Sequence, residues 1–374
     1  MRIVVSAGEA SGRAMLNLFR VEMAKSDAAC EVVSLQETAE LESVFGFAEG
    51  LRAGPRLGGV LGRAEEAAMR LDPDAAVLIS FSGLHLPFGR RLRRRRVPVL
   101  YLGPPQVWAW GGWRKRRMRK AADKVVCLFR FEEELLRRAG VNAFYFGYPL
   151  LDGVVSRLSR EQMLEKLGLG PNDRYVVFLP GSRTAEITYH QPLFMEVLAK
   201  LRLLVGDVRG VMVMVDEGRG QKLEARSQKL DVAGSGMVVV RENRYDVMRH
   251  AECACAVSGT VTAELALLGV PMVVCYHLAW LSRVLARVLV HTPHFALPNV
   301  LAGTLLVHEV LEPDAPALAQ MLEPLMSDSV ERRRQLEGLA LVAAELGPPG
   351  AMARVCELTR ELAASGRRRV ASNE

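Results

Sequence analysis

Two turns in the second half of the chain contain the residue types that bind phosphate. Pro180–Arg183 (PGSR) follows the apolar run 176–179, and Ser258–Thr260 (SGT) follows the apolar run 254–257. A strand that passes through a small-residue turn into a helix leaves unpaired backbone N–H groups at the helix N-terminus, where anions bind. Two such turns in one domain predict a cradle for a phosphorylated ligand.

Charged residues beside these turns narrow the predicted ligand. Arg183 carries a planar guanidinium group that matches the geometry of phosphate. Glu264, one turn into the second helix, is suited to accept hydrogen bonds from two neighbouring ribose hydroxyls. The combination predicts a nucleoside diphosphate that carries a sugar. Either turn alone also fits an ordinary helix N-cap, because Ser and Thr cap helices in proteins that bind nothing at that point.

The elements that position these turns are short apolar strands alternating with amphipathic helical segments, which predicts parallel sheets with helices on both faces. The predicted strands are 3–6, 76–79, 99–102, 124–127, 175–179, 210–215, 237–240, 254–257 and 271–275. They fall into two groups, separated near Gly147–Pro149 and by the polar stretch 168–174. We therefore predict a first domain of residues 1–165, to which a C-terminal helix of about 350–374 returns, and a second domain of residues 166–349. Ligands of such folds bind at the carboxyl ends of the strands.

The composition is typical of a globular protein. Half of the 374 residues are hydrophobic and 24% are charged, which is enough for two domains with full cores. The apolar stretches 75–79 and 210–215 have the length of strands, far below the roughly 18 residues of a membrane-spanning helix. The apolar run after Met1 is too short for a signal peptide. We therefore expect a cytoplasmic protein.

The net charge of +7 is concentrated in arginine-rich runs. These runs are 90–96, 114–120 and 367–369. The second run follows Trp108, Trp110 and Trp113, and tryptophan beside cations is typical of proteins bound peripherally to anionic membranes. Such runs are also often only solvated faces. RNA binding is the remaining interpretation, and we expect no nucleic acid among the partners.

Six motifs resemble, in order and spacing, those of lipid-A-disaccharide synthases. They are Gly8–Gly12 (GEASG), Pro105–Trp110 (PQVWAW), Leu179–Glu186 (LPGSRTAE), Ser258–Glu264 (SGTVTAE), Pro271–Val274 (PMVV) and Leu297–Gly303 (LPNVLAG). The resemblance implies an α/β protein of the GT-B fold, with two Rossmann-like doubly wound domains facing a cleft. It also implies an inverting glycosyltransferase that joins UDP-2,3-diacylglucosamine to 2,3-diacylglucosamine 1-phosphate and releases UDP, with no metal and no cofactor.

The resemblance further assigns residues to the two substrates. The donor-binding residues are Arg183 and Glu186 beside the diphosphate and sugar, Ser258, Gly259 and Thr260 on the phosphate, Glu264 on the ribose, and Asn299, which orients the donor. The residues on the acceptor and membrane side are Ser11, Trp108, Trp110 and Trp113. The partners implied are therefore a UDP-sugar, a lipid acceptor and the anionic cytoplasmic face of the inner membrane.

The first domain departs from the family pattern where the reaction needs a base. Ser80 stands in place of the family's Asp, a general base, while Arg13 replaces an Asp and Tyr148 replaces a His. Glycosyl transfer requires a group that takes the proton of the acceptor hydroxyl. Glu9 and His85 are the substitutes that this chain offers, although a single His among leucines is more often part of the packing.

Three functions remain open from the sequence. The first is lipid A disaccharide synthesis, and the second is transfer from a UDP-sugar to a different acceptor. The third is binding of UDP-sugars or membrane without catalysis. Product analysis separates the first two, and turnover separates both from the third. The sequence does not determine the oligomeric state.

Overall fold

The structure is a computed structural model in which two parallel β-sheets form the centres of two separate units. The described residues are 1–8, 10–37, 57–108, 112–214, 230–231, 236–277 and 293–371. The first unit comprises Met1–Gly153 and Leu346–Glu374, and the second comprises Val154–Glu345.

The first unit is built on a parallel sheet with the strand order β2-β1-β3-β4-β5-β6. Its elements up to the unit boundary are β1 (Arg2–Ala7), α1 (Ala10–Ser26), β2 (Glu31–Ser34), α2 (Leu57–Arg70), β3 (Ala75–Ile79), α3 (Ser82–Arg94), β4 (Val99–Leu102), α4 (Arg114–Ala121), β5 (Lys124–Val126), α5 (Arg130–Arg137) and β6 (Ala143–Phe144). The strand order changes direction between β1 and β3. That switch point is where doubly wound sheets bind their ligands.

The second unit has the strand order β13-β12-β11-β7-β8-β10-β9. Its elements are α6 (Arg160–Leu167), β7 (Tyr175–Leu179), α7 (Thr184–Val205), β8 (Arg209–Val213), β9 (Leu230–Asp231), β10 (Met237–Val240), α8 (Arg244–Arg249), β11 (Cys253–Val257), α9 (Val261–Leu267), β12 (Met272–Tyr276), α10 (Leu297–Ala302), β13 (His308–Leu311), α11 (Ala315–Leu322) and α12 (Val330–Glu345). Strand β9 pairs antiparallel with β10, and the other six form the Rossmann order. The switch point lies between β7 and β11.

Burial on both faces of the second sheet explains why its strands are continuous apolar runs. Along β7, Tyr175, Val177 and Leu179 pack into one core cluster, whereas Val176 and Phe178 pack into the cluster on the opposite face. Side chains alternate between the faces of a strand, so a strand covered on both sides needs apolar residues at every position.

The boundary between the units lies after Gly153, whereas the sequence predicted it after residue 165. Helix α6 accounts for the difference, because Met163, Leu164 and Leu167 pack into the core of the second unit. The polar stretch 168–174, which was predicted to separate the domains, begins with Gly168, the left-handed residue that ends α6. It is therefore a turn within the second unit.

The end of the chain belongs to the first unit. The chain enters this unit at Leu346 and forms α13 (Ala351–Ala371), which packs against α1, β3 and β4. Asp152 caps this helix, because its carboxylate accepts hydrogen bonds from the backbone N–H groups of Gly350 at 2.6 Å and Met352 at 3.1 Å.

Within the described parts of the chain, no helix is long and apolar enough to cross a membrane.

Candidate active site

The PGSR turn lies at the switch point of the second sheet, where β7 leads into α7. Gly181 has a φ of 100°, and a Cβ at this position would lie 2.4 Å from Oε2 of Glu186. The carboxylate of Glu186 accepts hydrogen bonds from the backbone N–H groups of Ser182 at 3.2 Å and Arg183 at 3.3 Å. The start of α7 thus already binds one anionic group at the turn where the sequence predicted phosphate.

Arg183 extends from the same turn and is 56% exposed. Its Nη1 donates to Oε1 of Glu186 at 2.8 Å. A ligand at this turn therefore meets a guanidinium and a carboxylate that are already paired. Such a pair is suited to a ligand with an anionic phosphate on one side and hydroxyl donors on the other.

The SGT turn ends the neighbouring strand. Leu179 of β7 pairs with Ala256 of β11, so the two strands end side by side and the two predicted turns lie at one edge. The hydroxyl of Ser258 donates to the carbonyl of Phe295 at 3.1 Å, which fixes the start of the turn. Gly259 is exposed and has open space around it, and Thr260 precedes the first residue of α9.

Glu264 is the most buried charged group at this edge, with 3% of its surface exposed. Arg244 donates from Nη2 to Oε1 of Glu264 at 3.1 Å, and no described residue bonds to Oε2. Burial raises the pKa of Glu264, and the charge of Arg244 opposes that shift. Arg244 was not among the residues predicted from the sequence, although its position shortly after the predicted strand 237–240 could have placed it at this edge.

Asn299 has a different position from the one implied by the family resemblance. It is fully buried, its Nδ2 donates to the carbonyl of Val307 at 2.9 Å, and its Oδ1 accepts from the N–H groups of Leu306 and Val307 at 2.8 Å. All these contacts join α10 to the segment before β13. In this structure the amide therefore holds α10 to the segment before β13 and is not directed at a ligand.

The turn after β3, at the switch point of the first sheet, has an unusual backbone. Ser80 and Phe81 have φ values of 54° and 47°, in the left-handed region that bulky side chains rarely adopt. Gly8, at the end of β1, permits this arrangement, since a Cβ there would lie 2.4 Å from Cβ of Phe81. Consecutive residues in this region store backbone strain, which is common at functional sites.

His85 is fully buried beneath this turn. Nδ1 lies 2.8 Å from the carbonyl oxygen of Ser80 and therefore carries the proton, because a carbonyl only accepts. Nε2 lies 2.8 Å from Oγ of Ser6 and accepts a hydrogen bond from the Ser6 hydroxyl. Burial lowers the pKa of His85 to about 4. The predicted base is thus a neutral, internally bonded ring that holds the β3 turn.

A second buried carboxylate lies in α5 of the first unit. Glu132 accepts hydrogen bonds from Nε1 of Trp108 at 3.0 Å and from the backbone N–H groups of Leu128 at 3.1 Å and Phe129 at 3.2 Å. Burial raises the pKa of Glu132 to about 7. The indole of Trp108 is therefore fixed by a bond within the unit, and the ring lies edge-on to Phe131.

The remaining predicted residues of the first unit lie at different depths. Trp113, just before α4, is 54% exposed, and the guanidinium of Arg117 lies 4.2 Å from its ring centre. Arg114 lies closer to the β3 turn, with Nη1 at 3.4 Å from the hydroxyl of Ser82. Ser11 is partly exposed in the first turn of α1. The predicted residues Glu9 and Trp110 lie outside the described residues.

These geometries give the two sheet edges different chemistry. The edge of the second sheet offers Arg183, a turn with small residues, and the buried carboxylate of Glu264, whose Oε2 has no hydrogen-bond partner among the described residues. These groups suit a phosphate and hydroxyl groups. Apart from Glu9, the turns 8–13, 80–83 and 103–106 of the first unit contain no acidic residue. The first edge therefore offers hydroxyls and cations, and Glu9 is the acidic residue that the sequence places at these turns.

Two Rossmann-like units built on parallel sheets define the GT-B fold. Solved structures with this fold include a UDP-GlcNAc 2-epimerase from Neisseria meningitidis bound to UDP-GlcNAc (TM-score 0.60, 13% identity, 96% of this chain and 100% of that chain). Another is MurG from Acinetobacter baumannii (TM-score 0.55, 15% identity, 96% of this chain and 99% of that chain). At these identities the likeness shows the fold alone.

Sequence relatives identify the family. The sequence model of the lipid-A-disaccharide synthetase family matches residues 3–339 of this chain. The lipid-A-disaccharide synthase of Solibacter usitatus (strain Ellin6076) is 33% identical over 377 residues, which cover 96% of this chain and 97% of the relative. That of Syntrophotalea carbinolica is 35% identical over 292 residues, which cover 78% of this chain and 74% of the relative. The chain belongs to the lipid-A-disaccharide synthase family, and it is a glycosyltransferase of lipid A disaccharide synthesis.

Proposed function

We propose that the edge of the second sheet binds the UDP-sugar donor and that the first unit binds the lipid acceptor. The donor is UDP-2,3-diacylglucosamine, the acceptor is 2,3-diacylglucosamine 1-phosphate, and the products are lipid A disaccharide 1-phosphate and UDP. This proposal rests on one edge of the second sheet, where Arg183, the SGT turn and Glu264 lie. Oε2 of Glu264 has no hydrogen-bond partner among the described residues there. The epimerase structure with bound UDP-GlcNAc supports it, because the fold is shared.

The donor-binding roles follow from the charges at that edge. Arg183 contacts the diphosphate and stabilises the negative charge that develops on the leaving UDP. The backbone of Gly259 and the N–H and hydroxyl groups of Thr260 contact the phosphate from the neighbouring turn, where Gly259 leaves space for close approach. Glu186 lies beside the sugar, and Glu264 accepts hydrogen bonds from the ribose. Ser258 and Asn299 act indirectly, through the contacts that hold the SGT turn and α10.

Inversion requires a single displacement at the anomeric carbon. A lone pair of the acceptor hydroxyl oxygen forms the new bond while the bond to UDP breaks, and the bonding electrons leave on the phosphate oxygen. A base accepts the hydroxyl proton in the same transition state. We assign this role to Glu9, because His85 is fully buried and both of its ring nitrogens are bonded inside the unit, to the Ser80 carbonyl and the Ser6 hydroxyl. His85 then acts by holding the β3 turn.

The acceptor and membrane side lies around α4 of the first unit. Trp113 is exposed, and exposed Arg116, Arg117, Arg119 and Lys120 accompany it. Tryptophan and cations together favour the interface of an anionic bilayer, where the acyl chains of both substrates are held. Arg114 and Ser11 supply polar groups for the acceptor. We propose peripheral binding at the cytoplasmic face of the inner membrane.

One assay tests the reaction directly. Purified protein is incubated with UDP-2,3-diacylglucosamine and 2,3-diacylglucosamine 1-phosphate, and disaccharide and UDP are measured together. Equal release of both products is expected. Binding of UDP without disaccharide formation, under conditions where the family's enzymes turn over, would assign a different acceptor. Absence of UDP binding would remove the proposed donor site.

Flotation with anionic phosphatidylglycerol vesicles tests the membrane surface. Trp113→Ala should weaken vesicle binding, and high salt should release much of the protein, because charge attraction between the basic run and anionic lipid is screened. Leu203→Ala is a matched control, since Leu203 is an 81% exposed apolar residue in the second unit. Equal loss in both variants, or binding that is insensitive to lipid charge, would contradict the assignment of this surface.

A further inference from the structure

Arg244 begins α8, directly after β10, at the same sheet edge as the two phosphate turns. The preceding residue, Asn243, has a φ of 53°, a left-handed conformation that Asn tolerates well. The guanidinium of Arg244 reaches Glu264 on α9, 20 residues later in the chain. Arg244 thus links two loops that follow different strands of the second sheet.

The guanidinium is held on two sides. Its Nη2 donates to Oε1 of Glu264 at 3.1 Å and also contacts the hydroxyl of Tyr245. Its Cζ lies 4.4 Å from the centre of the Tyr245 ring, within the range of a cation–π contact. A side chain with these contacts has little rotational freedom, so it also fixes the position of the carboxylate that it binds.

The carboxylate of Glu264 retains capacity for a ligand. A carboxylate accepts about four hydrogen bonds, and in the described parts of the chain Oε2 of Glu264 accepts none. Only 3% of the residue is exposed, so water is largely excluded from this group. Its missing partners must be donors, and phosphate oxygens do not donate. Adjacent hydroxyls, such as those of a ribose, supply two donors at the required spacing.

We propose that Arg244 is a positioning residue that holds Glu264 charged and oriented toward the ribose hydroxyls, and that it thereby makes the site prefer ribonucleotides over deoxyribonucleotides. This inference rests on the proposed binding of UDP-sugar at the same edge. Arg244 acts through Glu264 and not by touching the nucleotide.

The physical reason lies in the competition between burial and charge. Burial raises the pKa of Glu264, while the charge of Arg244 and its hydrogen bond lower it. Without Arg244 the carboxyl would hold its proton to higher pH, and a protonated carboxyl uses one oxygen as a donor. Tyr245, the other ionisable group beside this pair, has a pKa raised by burial and stays neutral near pH 7. Arg244 is therefore the cation that keeps both Glu264 oxygens as acceptors.

The test compares UDP with 2′-deoxyuridine 5′-diphosphate by calorimetry on the full chain. Wild type should prefer UDP by about 10-fold or more, because a charged acceptor then loses one hydroxyl partner. Arg244→Met should remove most of this preference, as should Glu264→Gln, and the double variant should lose no more than either single variant. Raising the pH should restore the preference in Arg244→Met but not in Glu264→Gln.

Two controls make the result specific. Arg241→Met removes one exposed positive charge three residues earlier and should keep the wild-type preference. Arg244→Lys keeps the charge near Glu264 and should retain part of the preference, and it provides the comparison if Arg244→Met fails to fold in a urea titration.

Three results would overturn parts of the argument. Equal weakening of both nucleotides in Arg244→Met and Arg244→Lys would mean that Arg244 contacts the nucleotide directly, and the positioning role would be wrong. An unchanged preference in both variants would remove any role of Arg244 in recognition of the ribose. If wild type binds neither nucleotide, the proposed donor site itself fails, which is a separate result from the first two.

Discussion

Glu132 in the first unit and Glu264 in the second are buried to nearly the same extent, at 2% and 3% exposure. Burial raises the pKa of both. They differ in their hydrogen bonds. Three donors of the first unit surround the Glu132 carboxylate, whereas the Glu264 carboxylate has Arg244 as a partner and one oxygen to which no described residue bonds.

This difference separates a structural carboxylate from one that we propose binds a ligand. Both carboxyl groups are deeply buried and both have a pKa that burial raises, so neither property separates the two groups. The number of hydrogen-bond donors around each carboxylate separates the two groups. A buried acceptor without a partner is energetically costly unless a ligand supplies the missing donor. His85 and Asn299 resemble Glu132, since their ring or amide groups bond within their own unit. We call Glu132, His85 and Asn299 closed, because they bond within their unit, and Glu264 open, because its Oε2 has no described partner. Substitutions should therefore lower stability at the closed residues and weaken ligand binding at the open one.

The largest expected effect tests whether the first sheet edge depends on Glu9 as its base. Glu9→Gln should lower kcat by about 10²-fold or more, since general-base catalysis contributes that much. Adding Ser80→Asp should recover part of the rate, because Ser80 has the left-handed backbone that Asp readily adopts. Steady-state disaccharide formation measures both effects.

Ser80→Asn in the same Glu9→Gln background is the matched control, because Asn fits the backbone but does not take a proton. It should recover nothing. Wild-type turnover in Glu9→Gln would place the base elsewhere and would contradict this account of the first unit.

The next effect concerns the open edge of the second unit. Arg183→Ala should weaken UDP binding by about 10- to 100-fold, which is the value of a charge-assisted hydrogen bond of 1.5–3 kcal/mol. The free energy of unfolding should change little, because the Arg183 side chain is 56% exposed. Calorimetry measures the affinity, and Lys200→Ala, which removes an exposed charge from the last turns of α7, is the control. Unchanged UDP affinity in Arg183→Ala would refute the donor assignment.

A smaller effect is expected for the closed imidazole of the first unit. His85→Leu should lower the free energy of unfolding by about 1–3 kcal/mol, because the Ser6 hydroxyl loses its buried acceptor and the Ser80 carbonyl loses a donor. UDP affinity should stay unchanged. Urea unfolding measures the effect, with His308→Leu as a partly exposed control. A kcat loss of about 10²-fold without loss of stability would instead support His85 as the base.

The smallest effect is a pH dependence from Glu132. Its pKa is about 7 in the folded protein against an ordinary value of 4.5, so the folded state binds the extra proton between these values. The stabilising contribution is complete below about pH 4.5 and is lost as the pH rises through about 7. Relative to Glu132→Gln, wild type should therefore lose at most about 1.4 kcal/mol of unfolding free energy per pH unit across this window. Parallel pH profiles of the two proteins would exclude a raised pKa at Glu132.

The family, the GT-B fold and the turns of the second unit could be predicted from the amino-acid sequence, and the family and fold predictions are confirmed. These features depend on local signals. An apolar run followed by a small-residue turn forms a strand and a helix start from the preferences of neighbouring residues. The motifs at Arg183, Ser258–Thr260 and Glu264 could be found in this way, because each lies within a few residues of its strand.

Contacts between residues far apart in the chain determine which polar groups are bonded within their unit and which keep an atom without a described partner. Arg244 is 20 residues from Glu264, Trp108 is 24 residues from Glu132, and Ser6 is 79 residues from His85. The unit boundary was likewise misplaced because the polar stretch 168–174 looked like a linker, whereas packing of α6 assigns it to the second unit. Such contacts depend on strand order and on the packing of helices over the sheet, which join residues distant in sequence and leave no local pattern in the chain.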